Sequence, residues 1–148
     1  MQLNGGTTMA ALCEQSGFSL LEVLVTLVIL SLGILGVNGL QVTGMKNSYS
    51  ALLRAQAAQY AYDMTDRMRV NRVAAQAGNY DLAMAAPKPT GATLPDVDRA
   101  GWLTQVESLP GGDGSIAVTA AGVATVTVQW SEAALGGGTA EFTVVTEL

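Results

Sequence analysis

Histidine is missing from all 148 residues, and cysteine occurs once, at Cys13. One thiol closes no intramolecular disulfide, and without histidine the chain lacks the side chain most often used as a general base. No glycine-rich phosphate loop follows a predicted strand, and a carboxylate pair such as Asp96 and Asp98 is too common in loops to indicate acid–base chemistry. Catalysis is not expected. Proline is absent from residues 18–77, so nothing there forbids a long helix. Bases are absent from residues 1–17, and after Gly78 only Lys88 and Arg99 stand against eight acids: Asp81, Asp96, Asp98, Asp113, Glu107, Glu132, Glu141 and Glu147. With a net charge of −5, that acidic half is poorly suited to holding phosphate backbones, and no nucleic-acid partner is expected.

What the chain has in abundance is apolar length near its start. Residues 18–37 are almost wholly apolar, and roughly 20 such residues suffice for a helix to cross a bilayer. Inside this span stands one acid, Glu22. An ionised carboxylate in hydrocarbon costs on the order of 3 kcal/mol on insertion scales. A passive anchor would carry leucine there, so the charge needs a partner, and that need points to function.

The run Gly17-Phe18-Ser19-Leu20-Leu21-Glu22 resembles the class III signal of type IV pilins and of the pseudopilins of type II secretion. The resemblance implies a leader, residues 1–17, removed by a prepilin peptidase that cuts between Gly17 and Phe18 and methylates the new amine of Phe18. It makes Glu22 the fifth mature residue, attracting the amine of a neighbouring subunit during assembly. Two opposite charges in low dielectric offset each other's burial cost, and such a pair is selective because each member is costly alone. Cys13 would leave with the leader. Two features depart from the family: the leader has no Lys or Arg, and Lys46 and Arg54 lie just past the span. The positive-inside rule would put the C-terminal part in the cytoplasm, whereas the family puts it in the periplasm. The periplasm is the expected side, because dedicated insertion machinery weakens a statistical rule. The initiator, Met1 or Met9, stays open.

The periodicity stays helical to about Ala77 and changes character midway. Residues 18–44 read as the membrane or filament-core half of one helix, and residues 45–77 as its amphipathic half. In the second, Leu53, Ala57, Tyr60, Ala61, Met64 and Met68 recur at steps of three and four, forming an apolar stripe. Asp63 with Arg67, and Asp66 with Arg69, are spaced to pair along the helix. Gly33, Gly36, Gly39 and Gly44 interrupt it, either for close packing between helices or as a segment able to unwind. Gly78-Asn79 supplies a stop. Residues 78–114 read as a connecting loop in which Asp96-Val97-Asp98 caps a short helix carrying Trp102, Leu103 and Val106. Residues 115–148 read as antiparallel sheet, with strands at 115–120, 123–131 and 140–146. The second strand places Ala124, Val126, Val128 and Trp130 on one face. The expected fold is therefore α+β, a type IV pilin fold whose long helix packs on about three strands.

Within the superfamily, the stretch 61–72 with its Asp66-Arg67-Met68-Arg69-Val70-Asn71-Arg72 run is similar to minor pilins of the PilV type. So are Trp102, Leu109-Pro110-Gly111-Gly112 and Val126-Thr127-Val128-Gln129-Trp130. That resemblance implies a minor pilin in the initiation and assembly of a type IV pilus, in a tip-associated complex with other minor pilins and the major pilin, with a tip adhesin as a further candidate partner. It implies residence in the inner membrane as a single pass, and later in the pilus. Alternatives are a minor pseudopilin of type II secretion, or a membrane-tethered periplasmic binding domain that never polymerises. Arg67, Arg69 and Arg72, with Asp63 and Asp66, form either a subunit-contact patch or a solvated helix face. Trp102 and Trp130 are expected in the core. Asp96, Asp98 and Asp113 have calcium-type oxygens, but short acids in turns usually cap or solvate, so neither a metal nor another cofactor is expected.

Overall fold

The computed structural model describes residues 17–148. The expected leader, with Cys13, lies outside the described residues except for Gly17. Two compact units are distinguished, one ending at Gln41 and the other running Val42–Leu148. Helix α1, Leu20–Val70, supplies all of the regular structure described in the first unit and enters the second. The remaining elements belong to the second unit: α2 (Arg72–Gln76), α3 (Leu94–Val106), β1 (Asp113–Val118), β2 (Val123–Ser131), a 3-10 turn (Ala133–Leu135) and β3 (Thr139–Glu147). The architecture is α+β and pilin-like, a long N-terminal helix packed on a three-stranded antiparallel sheet.

In the second unit the apolar stripe meets the sheet as its period requires. Leu53, Ala57, Ala61, Met64 and Met68 are buried. The two alanines and both methionines are fully covered in the one core they share with the sheet. From the other side come Ala124, Val126, Val128 and Trp130, the inward set of β2. Burying a side chain of this size favours the fold by about 1.5–3 kcal/mol. Trp102 of α3 is fully covered and donates its indole N–H to the Tyr60 carbonyl at 2.9 Å, so its one polar atom is satisfied. Gly114 of β1 lies against that ring, and a side chain there would strike it.

The sheet order is β1-β2-β3 in continuous register, from Asp113↔Gln129 to Val118↔Ala124 and from Val123↔Glu147 to Ser131↔Thr139. Gly122 closes the first hairpin with φ 82°, a conformation costly for other residues, and donates to the Thr119 carbonyl at 2.8 Å.

Several boundaries differ from the sequence reading. The helix does not run unbroken to Ala77. It breaks at Asn71, where φ −114° and ψ 47° lie outside the helical region, and resumes as α2. The Asn71 amide nitrogen reaches the Tyr80 hydroxyl at 3.3 Å, an alternative to helix continuation that this residue type favours. Helix α3 begins at Leu94 rather than near Asp96. Its cap is Thr93, whose hydroxyl accepts from the Asp96 N–H at 3.4 Å, and Pro95 sits in the first turn, where a missing N–H is harmless. Strand β1 begins at Asp113, two residues before the expected start, and Leu82 of the connecting segment adds a bridge to Ile116.

Candidate functional site

The N-terminal motif is the first part. Gly17, Phe18 and Ser19 precede the helix, and the Ser19 carbonyl accepts from Glu22 N–H at 3.0 Å and Val23 N–H at 3.2 Å, starting the first turn. Glu22 sits in that turn, where a carboxylate interacts favourably with the positive end of the helix. All the described residues through Tyr49 are exposed in the single chain, and the apolar part reaches a mean hydropathy of 2.6 over 18 residues. Phe18 is 83% exposed, and Leu20, Leu30 and Leu35 are exposed too. A helix apolar on every side, with nothing packed on it, is stable only in lipid or among other helices. A Cβ added at Gly33, Gly36, Gly39 or Gly44 would meet nothing within 4 Å, so no packing among the described residues accounts for these glycines. Thr26 and Ser31 return their hydroxyls to the carbonyls of Glu22 and Leu27, at 2.5 and 2.6 Å, and so expose no spare donor to lipid.

The second part is the polar side of the Val42–Leu148 unit. Arg67 bonds Asp63 at 2.9 Å, one turn earlier, and Asp98 of α3 at 3.3 Å. Tyr80, itself buried, donates to the other Asp98 oxygen at 2.7 Å. Burial works against the Arg67 charge, but the hydrogen bond and charge of Asp63, then those of Asp98, outweigh it and raise the guanidinium pKa. Burial, then the bond to Asp98, pushes the Tyr80 phenol up. Asp98 therefore joins α1, the segment after α2, and α3. Tyr80 and Asp98 were invisible as a pair in the sequence, since they lie 18 positions apart with a connecting segment and the first turn of α3 between them, and only the fold brings them together.

The other arginines differ. Arg69 pairs with Asp66 at 2.9 Å and reaches the Thr146 hydroxyl of β3 at 3.0 Å, with half of its side chain exposed. Arg72 is exposed and makes no ion pair among the described residues. The three expected patch residues thus differ in their partners: Arg67 reaches α3, Arg69 reaches β3, and Arg72 is exposed.

The aspartates of calcium type lie apart in function. Asp96 takes the Thr93 hydroxyl at 2.5 Å and Arg99 at 2.6 Å, and the two hold its carboxyl below the usual range, Thr93 chiefly. Asp113 accepts from the Ala85 N–H at 2.7 Å and from Gly114 N–H at 2.7 Å. Asp96 thus serves the start of α3, while Asp98 and Asp113 tie segments that are distant in the chain.

A further acid proves structural. Glu132, at the start of the β2–β3 connection, accepts from the Ser50 hydroxyl at 2.8 Å and the Trp130 indole at 3.2 Å, with Arg54 at 3.8 Å. The Ser50 bond, more than Trp130 or Arg54, keeps its carboxyl below the ordinary range despite partial desolvation. This strap fixes the glycine-rich connection to α1 and walls a cleft with Lys46, Asn47, Leu135 and Gly137.

Residues 13–38 match the prokaryotic N-terminal methylation motif. That match supports a type IV pilin-like or pseudopilin protein, with a methylated, membrane-anchoring N-terminus, and a structural rather than enzymatic kind of chain. No curated protein and no solved structure is matched by the chain.

Proposed function

We propose that this chain is a minor pilin that takes part in initiating and assembling a type IV pilus, within a tip-associated complex of minor pilins and the major pilin. A prepilin peptidase cuts between Gly17 and Phe18, and the methylated amine of Phe18 is paired by the Glu22 carboxylate of an adjoining subunit. The observation that carries the reading is an apolar helix exposed on every side, with one acid in its first turn, directly after the motif. Lipid can cover the apolar surface but not the acid. Before assembly the protein is a single-pass subunit of the inner membrane with the Val42–Leu148 unit in the periplasm. Packing and the charge pair guide early association there, because apolar surface gives little drive between helices already in lipid. Arg69 and Arg72 supply contact to neighbours, while Arg67 holds α1 to α3.

The test has two readouts. Mass spectrometry of the membrane-extracted protein is expected to show an N-terminus at N-methyl-Phe18; an uncleaved N-terminus marks a tethered domain that never polymerises. Glu22→Gln is expected to leave processing intact and to abolish incorporation into fibres. Normal fibres with the variant present in them contradict the proposal. Deletion of the chain should remove pili; loss of secretion with pili intact identifies a pseudopilin of type II secretion instead.

A further inference from the structure

The two edges of the sheet are finished differently. Antiparallel strands alternate residues bonded to the neighbouring strand with residues whose N–H and C=O point away from it. On β1 the Thr119 N–H to Val123 carbonyl bond, at 2.9 Å, fixes the phase, so Gly114, Ile116 and Val118 face outward. All three N–H groups are used: Gly114 by the Asp113 carboxylate, Ile116 by the Leu82 carbonyl and Val118 by the Asp81 carboxylate, at 2.7, 2.9 and 2.9 Å. On β3 the Leu148 N–H to Gly122 carbonyl bond at one end, and the Glu132 N–H to Gly138 carbonyl bond at the other, agree on the phase. Thr139, Glu141, Thr143, Val145 and Glu147 therefore face outward, and their N–H groups meet no acceptor among the described residues.

Most of the devices that discourage pairing are missing from β3. Natural edges are blunted by proline, by charged side chains and lysine above all, by a bulge or by a short strand. This edge has nine residues, no proline or lysine, and an unbroken register with β2. It is also rich in threonine and valine, types that suit a strand. The side chains at the outward-facing positions are exposed, Val145 at 63%. Two acids, Glu141 and Glu147, mark its outer face, and neither makes an ion pair among the described residues.

A second copy of β3 fits this edge badly. Pairing two copies antiparallel about Thr143 matches every outward position, but it places Glu141 diagonal to Glu147 of the other copy, twice over. Sliding by two residues one way sets Glu141 directly opposite Glu147; the other way sets the two Glu141 residues diagonal to each other. Like charges so placed oppose pairing.

We infer that β3 is a docking edge for an extended segment of a different protein chain, which adds as a fourth strand and carries Lys or Arg facing Glu141 and Glu147. Backbone bonds to the five outward residues supply the attachment, and the two acids select the guest by charge. The inference does not depend on the filament reading, and it can be tested on the chain itself.

The experiment follows amide hydrogen exchange by NMR on the full chain in detergent micelles. The probe is a nine-residue peptide alternating threonine and valine, with two lysines six residues apart, the spacing from Glu141 to Glu147. Its comparator has glutamates at those two places. The lysine peptide is expected to slow exchange at the Glu141, Thr143 and Val145 amides about tenfold or more, as new backbone bonds do, and the glutamate peptide to slow it little. Thr143→Pro deletes one outward N–H and no backbone bond to β2, losing besides it only the hydroxyl contact with Thr127 at 3.0 Å, so it should abolish the protection while tryptophan fluorescence still reports cooperative unfolding. Val145→Pro serves the same purpose should Thr143→Pro not fold. Glu141→Lys with Glu147→Lys should reverse the preference between the peptides. No slowing with the lysine peptide, or equal slowing with both, overturns the inference. Slowing that appears on concentrating the chain alone makes the guest a second copy, and also overturns it.

Discussion

Two stretches of α1 obey opposite rules. From Leu20 to about Met45 the helix carries apolar residues on every face and buries none of them among the described residues; from Leu53 to Met68 it buries a narrow stripe and leaves the rest to water. The first stretch draws its stability from whatever surrounds the molecule, the second from the molecule itself. Substitutions in the second should therefore read out in folding, and substitutions in the first in association.

The largest expected effect is in the folding half. Trp102→Ala removes a fully covered ring and its bond to the Tyr60 carbonyl, and should cost about 3–5 kcal/mol, seen as a lowered denaturant midpoint of the Val42–Leu148 unit. Membrane extraction and the N-terminal residue read by mass spectrometry should not change. Next comes Asp98→Ala, which strips the acceptor from the buried Tyr80 hydroxyl and one partner from Arg67, for about 2 kcal/mol by the same measurement. Because Tyr80 has its pKa raised in the folded state, its contribution is present at neutral pH and is lost as pH rises through and beyond the ordinary tyrosine range. The Asp98→Ala variant should show a weaker alkaline loss.

In the other half, Gly36→Ala adds a methyl group that meets nothing among the described residues, and it improves intrinsic helix propensity by up to about 1 kcal/mol. Circular dichroism in micelles should show helix retained and the domain's unfolding midpoint unchanged. A drop in fibre incorporation would then locate a close neighbour at this glycine, whereas a shifted midpoint would break the division between the halves.

The smallest effect concerns the Ser50–Glu132 strap. The folded Glu132 pKa lies below its unfolded value, so the strap stabilises above the ordinary carboxylate range and its contribution fades as pH falls through the depressed folded value. Ser50→Ala should lower the thermal midpoint slightly at neutral pH and converge with the parent chain in acid.

The sequence made legible what depends on period. A three- and four-residue recurrence marked Leu53 through Met68, and strict alternation marked Ala124 through Trp130, because each repeat reports one face of one element. It also revealed the Gly17-to-Glu22 motif, whose information is local. Contacts between distant segments were hidden. Tyr80 carried no pattern, yet it is fully buried; Leu82 sat in a loop, yet it pairs with Ile116. Thr93 caps α3 ahead of the expected Asp96, because Pro95, which reads as loop in sequence, is at home in a first turn. Asn71 interrupts a run whose composition favours helix, since its side chain has a partner nine residues on. The division of labour among Arg67, Arg69 and Arg72 was equally hidden, being set by α3 and β3 rather than by the helix that carries them.

The bonded margin along Gly114, Ile116 and Val118 has a consequence for valence. With one flank occupied by its own Asp81, Leu82 and Asp113, the molecule can be lengthened from the opposite flank alone. A ribbon growing strand by strand stops on reaching it, so it acts as a terminus in such growth and never as a link.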